Sequence, residues 1–177
     1  MNIVLIGLMG SGKSAVGRLL AERLGRPFVD TDELVVQQTG RSIADLFATE
    51  GEAAFREREA AVIAQVTAHD GQVIATGGGA VLRPENREAL RRTGLVIWLD
   101  APPEALYQRA RAQGLERRPL LAGPNPLGKL RALAAGRAEA YQAAAHVRLQ
   151  TDAKIPASIA EEIIALLASN EGVTDHG

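Results

Sequence analysis

Cysteine is absent from this 177-residue chain. That excludes a disulfide framework, a thiolate zinc site and cysteine redox chemistry, and it suits a reducing, cytoplasmic setting. Charge of one sign is lacking too: 20 basic and 21 acidic residues leave a formal charge of -1. Such a balance gives no overall field to hold nucleic acid or an anionic membrane, so any anion must be held locally. Long apolar runs are missing. The opening Met1-Asn2-Ile3-Val4-Leu5-Ile6-Gly7 carries no basic leader and is far shorter than the roughly 20 residues of a membrane span, so it reads as a buried strand. There is no internal repeat and no low-complexity linker.

What is present describes one globular domain. Hydrophobic residues make up 46% and charged residues 23%, near the average for soluble proteins, and the length suits a single core. Short apolar runs alternate with longer segments of helical period, which predicts an α/β fold with a parallel sheet between helical layers. The expected strands are 2–6, 27–29, 72–75, 95–99 and 147–150, each mostly continuous in apolar residues, as in strands buried on both faces. After the first, Val16, Leu19, Leu20 and Leu24 recur at helix spacing, with Gly25 where a C-cap belongs. Ser42 and Asp45 resemble a capping pair before a helix with Leu46 and Phe47, followed by a longer helix over about 52–66. Pro84 and Pro102-Pro103 open two more helices. From about 112 to 125 the helical pattern lapses into Gly114, Pro119, Gly123 and Pro124, which reads as a mobile loop. Helices over about 127–144 and 156–168 complete a domain spanning 1–169, and the polar residues 170–177 read as a frayed tail.

Gly7-Leu8-Met9-Gly10-Ser11-Gly12-Lys13-Ser14 matches the P-loop pattern and lies between a strand and a helix, the context the motif requires. Glycines let backbone N–H groups converge on phosphate oxygens, the helix N-terminus adds partial positive charge, and Lys13 adds a full one. Ser14 can offer its hydroxyl to Mg2+. The plain alternative is a glycine-rich turn joining strand to helix. A P-loop alone does not choose between a kinase, a switch GTPase and a motor.

Other residues bear on that choice. Asp30-Thr31-Asp32 ends the second strand, and residues two apart in an extended segment face the same side. Two carboxylates then point toward the mouth of the sheet, where ligands of parallel sheets bind. One can serve the magnesium shell and the other can orient or deprotonate an attacking hydroxyl; the alternative is a solvated helix cap. Thr76-Gly77-Gly78-Gly79 ends the third strand, and three glycines suggest either a close approach to the backbone or an ordinary turn. In Phe55-Arg56-Glu57-Arg58-Glu59, Arg56 and Glu59 are three apart on a helix and can pair, leaving Arg56 ready for a carboxylate or simply solvated.

Taken in order, these four motifs resemble those of shikimate kinases. A fifth, Arg118-Pro119-Leu120-Leu121, lies in the mobile loop, and the resemblance spans essentially the whole chain. It implies a three-layer P-loop fold with five parallel strands and a lid, and transfer of the ATP γ-phosphate to the 3-hydroxyl of shikimate. By the resemblance, Gly10, Ser11, Gly12, Lys13, Ser14 and Ala15 surround the nucleotide phosphates, with Lys13 stabilising the transferred group. One Mg2+ ion accompanies ATP, held by Ser14 and, through its water shell, Asp30. Asp32 binds the shikimate hydroxyls and serves as base. Arg56, held by Glu59, and Arg137 clamp the shikimate carboxylate, with Gly77, Gly78 and Gly79 along the ring. Arg118 arrives with the lid, Arg111 lies against adenine, and Lys154 lies near it. The family usually has proline two positions after the clamp arginine. Glu139 stands there in this chain, permits a continuous helix, and leaves the aim of Arg137 open.

The three histidines, His69, His146 and His176, fall in no metal or triad spacing and are expected at surface or helix positions. The lone Trp98 is expected in the core. Two rival functions remain: another small-acceptor kinase, for gluconate or a nucleoside monophosphate, and a nucleotide-dependent switch. The arginine clamp with the triple glycine favours a carboxylated polyol. The implied partners are ATP and shikimate, without nucleic acid or membrane, acting on a monomer.

Overall fold

The computed structural model describes residues 1–171. Five strands, β1 (Asn2–Ile6), β2 (Phe28–Asp30), β3 (Val73–Ala75), β4 (Gly94–Asp100) and β5 (Val147–Gln150), form one sheet in the order β2-β3-β1-β4-β5. All the pairings are parallel. Helices α1 (Lys13–Leu24), α2 (Thr31–Thr39), α3 (Ile43–Thr67), α4 (Pro84–Thr93), α5 (Pro103–Ala112), α6 (Pro126–Ala144) and α7 (Pro156–Glu171) cover it. Among the described residues no helix is long and apolar enough to cross a membrane.

The central strand explains the layering. Ile3 and Leu5 of β1 join one core cluster, with Val16 and Leu20 of α1 and Ile159 and Ile163 of α7. Val4 and Ile6 join the other, with Phe55, Val62 and Ile63 of α3, Leu90 of α4 and Tyr141 of α6. Alternate side chains of a strand point to opposite faces, so a run apolar at every position demands helices on both. The outermost β5 instead shows alternating exposure, and Arg148 and Gln150 reach solvent.

Local signals place several boundaries. Gly25 caps α1 with a left-handed backbone, Ser42 accepts the Asp45 N–H at 3.1 Å, and Pro84 and Pro103 occupy first turns. The two helices expected between Ser42 and Val66 are halves of α3, broken at Gly51, whose φ of 85° and ψ of 169° are not helical. The loop expected between α5 and α6 contains two 3₁₀ turns, Leu115–Arg117 and Pro119–Leu121, and Leu121 is buried. The last helix outruns its expected end near Ala168 and includes Ser169, Asn170 and Glu171. The rest of the expected tail, with His176, lies outside the described residues.

Asn2 is a polar residue on an otherwise apolar buried strand. Its Oδ1 accepts the Gln72 N–H and its Nδ2 donates to the His69 carbonyl, both at 2.9 Å. These bonds fix the turn that launches β3 beside β1. Asn2→Ala leaves the buried Gln72 N–H without a partner and strips the His69 carbonyl of one of its two donors, the other being Gln72 Nε2, so it should destabilise the fold by about 2–3 kcal/mol. For a chain of this size the melting temperature should drop by roughly 5–10 °C, as a thermal denaturation curve would show.

Candidate active site

The loops after β1, β2 and β3 open at one edge of the sheet around a cavity of about 710 Å³. Gly10 turns the P-loop with φ of 79°, and a Cβ there would lie 2.5 Å from the Leu106 carbonyl oxygen of α5. The loop can therefore rest on α5 only with glycine at this position. Lys13 Nζ donates to the Gly7 and Leu8 carbonyls at 2.6 and 2.9 Å, which holds the ammonium at the loop's mouth. Burial lowers its pKa to about 8, against the opposing attraction of Asp32.

Ser14 Oγ donates to Asp30 Oδ2 at 2.5 Å. The other oxygen, Oδ1, accepts the N–H groups of Asp32 and Glu33 at 3.0 and 3.2 Å, capping α2. Asp30 is thus the capping residue of α2, and Asp32 lies inside the helix's first turn. Both carboxylates line the cavity, as expected. The reason is a strand-to-helix corner rather than one extended segment, since Asp32 sits in the first turn of α2. Burial raises the Asp32 pKa to about 6; Glu59 and Asp30 add to the rise, and Lys13 and Arg118 oppose it.

The three glycines after β3 form a floor on which charged side chains lie. A Cβ on Gly77 would fall 2.6 Å from Asp32 Oδ1 and 2.7 Å from Glu59 Oε2. On Gly79 it would fall 2.4 Å from Arg56 Nη1, and on Gly78 3.3 Å from Arg137 Nη1. Arg56 Nη1 donates to Glu59 Oε1 at 2.9 Å, and Glu59 is only 2% exposed. Arg56 Nε and Glu59 Oε2 are buried without hydrogen-bond partners, polar atoms that a bound ligand could satisfy. Arg137, on the continuous α6, lines the cavity while Glu139 is exposed, so the absent proline does not turn the arginine away.

Arg118 lines the cavity from the turns above it, donates to Gln113 Oε1 at 2.8 Å, and has a buried Nε without a partner. Gly10, Gly12 and Ala15 line the cavity too, whereas Ser11 is fully buried and Gly77 lies behind Asp32 and Glu59. Two expected residues fall elsewhere. Arg111 is exposed on α5 outside the cavity, and Lys154 pairs with Glu162 at 2.8 Å. Of the histidines, His69 and His146 are exposed; Trp98 is buried.

Several contributors escape the motifs. Arg117 and the apolar wall of Val36, Ile43 and Phe47 face the cavity. Thr31 is wholly buried and accepts the Gly77 N–H at 3.0 Å. Arg109 joins the P-loop to the turn after β5, donating to the Thr151 carbonyl at 2.8 Å and to the Gly10 carbonyl at 3.4 Å. Arg117 adjoins the motif that begins at Arg118; the others depend on tertiary partners. Chemically, the cavity joins an anion-binding loop and a carboxylate of raised pKa to two arginines suited to a second anion.

A family model described as shikimate kinase matches residues 9–168. A shikimate kinase of Symbiobacterium thermophilum is 70% identical over 167 residues, 94% of this chain and 96% of that protein. One from Burkholderia pseudomallei is 47% identical over 151 residues, 85% of this chain and 81% of that protein. Among solved structures, a shikimate kinase from Acinetobacter baumannii in complex with shikimate superposes with a TM-score of 0.92 at 42% identity, covering 96% of this chain and 93% of the other. With the P-loop, the glycine floor and the arginine pair in one cavity, these matches carry one conclusion: the chain belongs to the shikimate kinase family.

Proposed function

We propose that this single-domain protein transfers the γ-phosphoryl group of ATP to the 3-hydroxyl of shikimate, giving shikimate 3-phosphate and ADP. The observation that carries the reading is the convergence of Arg56 and Arg137 on the glycine floor, across one cavity from the P-loop. A planar carboxylate suits the guanidinium fork, so the pair selects an acceptor with a carboxylate at one end. An acceptor so held places a hydroxyl near Asp32, and the resemblance to a relative solved with shikimate supports that orientation.

Residue roles follow from charge and position. Gly10, Ser11, Gly12, Lys13, Ser14 and Ala15 cradle the nucleotide phosphates, and Lys13 meets the charge that develops on the transferred group. The Ser14 hydroxyl and Asp30 carboxylate are hard oxygen donors in contact, a set that fits Mg2+. When bound, Mg2+ would neutralise phosphate charge during transfer. Asp32 accepts the proton of the attacking hydroxyl, which leaves the oxygen free to form the new P–O bond. Arg118 adds positive charge from the lid, whose closure over 112–125 excludes water. Arg111 and Lys154, outside the cavity, are not part of the proposed contact set. The protein works as a cytoplasmic monomer.

ADP release with shikimate, gluconate and AMP as separate acceptors tests the assignment. Turnover should depend on shikimate alone; equal release without it would leave a nucleotide hydrolase or switch.

Asp32→Asn should depress kcat by roughly 10²–10⁴-fold while ATP affinity changes little. It should also stabilise the protein. A carboxyl whose folded pKa is raised to about 6 binds its proton more tightly in the folded state, so its ionisation erodes stability as pH climbs from about 4 to 6. Above pH 6 the deficit is complete, and a neutral Asn removes it. A gain of about 1–2 kcal/mol at pH 8, shrinking at pH 4, is the expected result in denaturant titrations. In wild type, kcat/KM for shikimate should decline below about pH 6, as Asp32 takes up a proton.

Arg137→Ala should weaken shikimate binding by about 1.5–3 kcal/mol, the worth of one charge-assisted bond, and spare ATP binding. Calorimetry with each substrate alone would show the split.

A further inference from the structure

We propose that Tyr141 is a positioning residue for the acceptor: its phenol fixes the middle of the glycine floor and the neighbouring Arg137, and so sets the acceptor clamp. This rests on the acceptor assignment made above.

Tyr141 lies one turn beyond Arg137 on α6 and is 1% exposed. Its hydroxyl donates to the Gly78 carbonyl at 2.5 Å, 63 residues away in sequence. Gly78 is also where Arg137 rests, with Nη1 3.3 Å from the place a Cβ would occupy. One helix therefore meets one glycine twice, holding its carbonyl through the phenol and laying the guanidinium beside the space that a Cβ would fill. On either side of that glycine, Gly77 abuts Asp32 and Glu59, and Gly79 abuts Arg56. A shift of Gly78 would move the ground beneath all four charged groups.

The ring is itself held. Trp98 of β4 stacks on it with centroids 5.4 Å apart and an interplanar angle of 26°, and Arg148 of β5 covers the indole, its Cζ 4.4 Å from the ring centroid. The phenol thus cannot follow the loop if the loop moves, which is what a fixed reference point needs. Burial lifts its pKa to about 12 against the opposing Arg137 charge, so it stays a donor at any working pH.

Tyr141→Phe keeps the ring and its stacking and removes only the donor. Assayed beside wild type, it should raise KM for shikimate roughly five- to tenfold, the worth of one buried hydrogen bond. KM for ATP should stay within about twofold, because the hydrogen bond removed runs to Gly78, whereas Lys13 is held by the Gly7 and Leu8 carbonyls. A merely structural role would disturb both substrates or lower the melting temperature alone. Parallel rises in both KM values, or an unchanged KM for shikimate in a variant with a native melting curve, would overturn the inference. If wild type fails to phosphorylate shikimate, the acceptor assignment falls and the inference falls with it; if only the variant is unaffected, the assignment stands.

Discussion

Burying the Arg56–Glu59 pair sets the conditions for the rest of the cavity. Two ions taken from water lose several kcal/mol of hydration each, and mutual attraction repays this only with good geometry. The geometry here comes from backbone without side chains: Gly77 and Gly79 leave room for Glu59 and Arg56 within 3 Å of where a Cβ would stand. The pair stays incomplete, since Arg56 Nε and Glu59 Oε2 have no partners. A cavity that holds charge in this state is built to receive a polar ligand rather than to maximise its own stability. The raised pKa of Asp32, caused by the same burial and by Glu59, belongs to the same economy.

The P-loop shows a related compromise. Lys13 satisfies its ammonium on carbonyls of the loop that it serves, so the charge is held in place before any phosphate arrives. Asp30 does two things with two oxygens, ordering Ser14 with one and the start of α2 with the other. The corner from β2 to α2 is therefore stiff, and Asp32 inherits its direction from that corner.

Much of this was legible in the sequence. β1 and β5 fall at their expected bounds and the rest of the sheet within one residue; β1, β3 and β4 are written as largely unbroken apolar runs because both their faces are covered, whereas β5 alternates. Gly77, Gly78 and Gly79 were readable as a close approach to the backbone. What approaches is a set of side chains from α2, α3 and α6, and no local pattern names them. Asp32 was placed in the right cavity for the wrong reason, since a three-residue strand ends before alternation can apply. Thr31, Arg109 and Tyr141 went unread because their partners lie 42 to 99 residues away. The end of α7 was set too early because Ser169 and Asn170 are poor helix formers that a continuing helix nonetheless carries.

The break at Gly51 divides labour within a single helix. Residues before it, Ile43 and Phe47, supply apolar wall to the cavity; residues after it, Arg56 and Glu59, supply charge. Phe47 and Phe55 meet across the break with ring centroids 4.9 Å apart, so the halves are joined by packing rather than by a continuous helical backbone. In evolutionary terms the first half is a replaceable panel. Its side chains can change in size to admit a differently shaped acceptor, while the ion pair behind the break keeps its register.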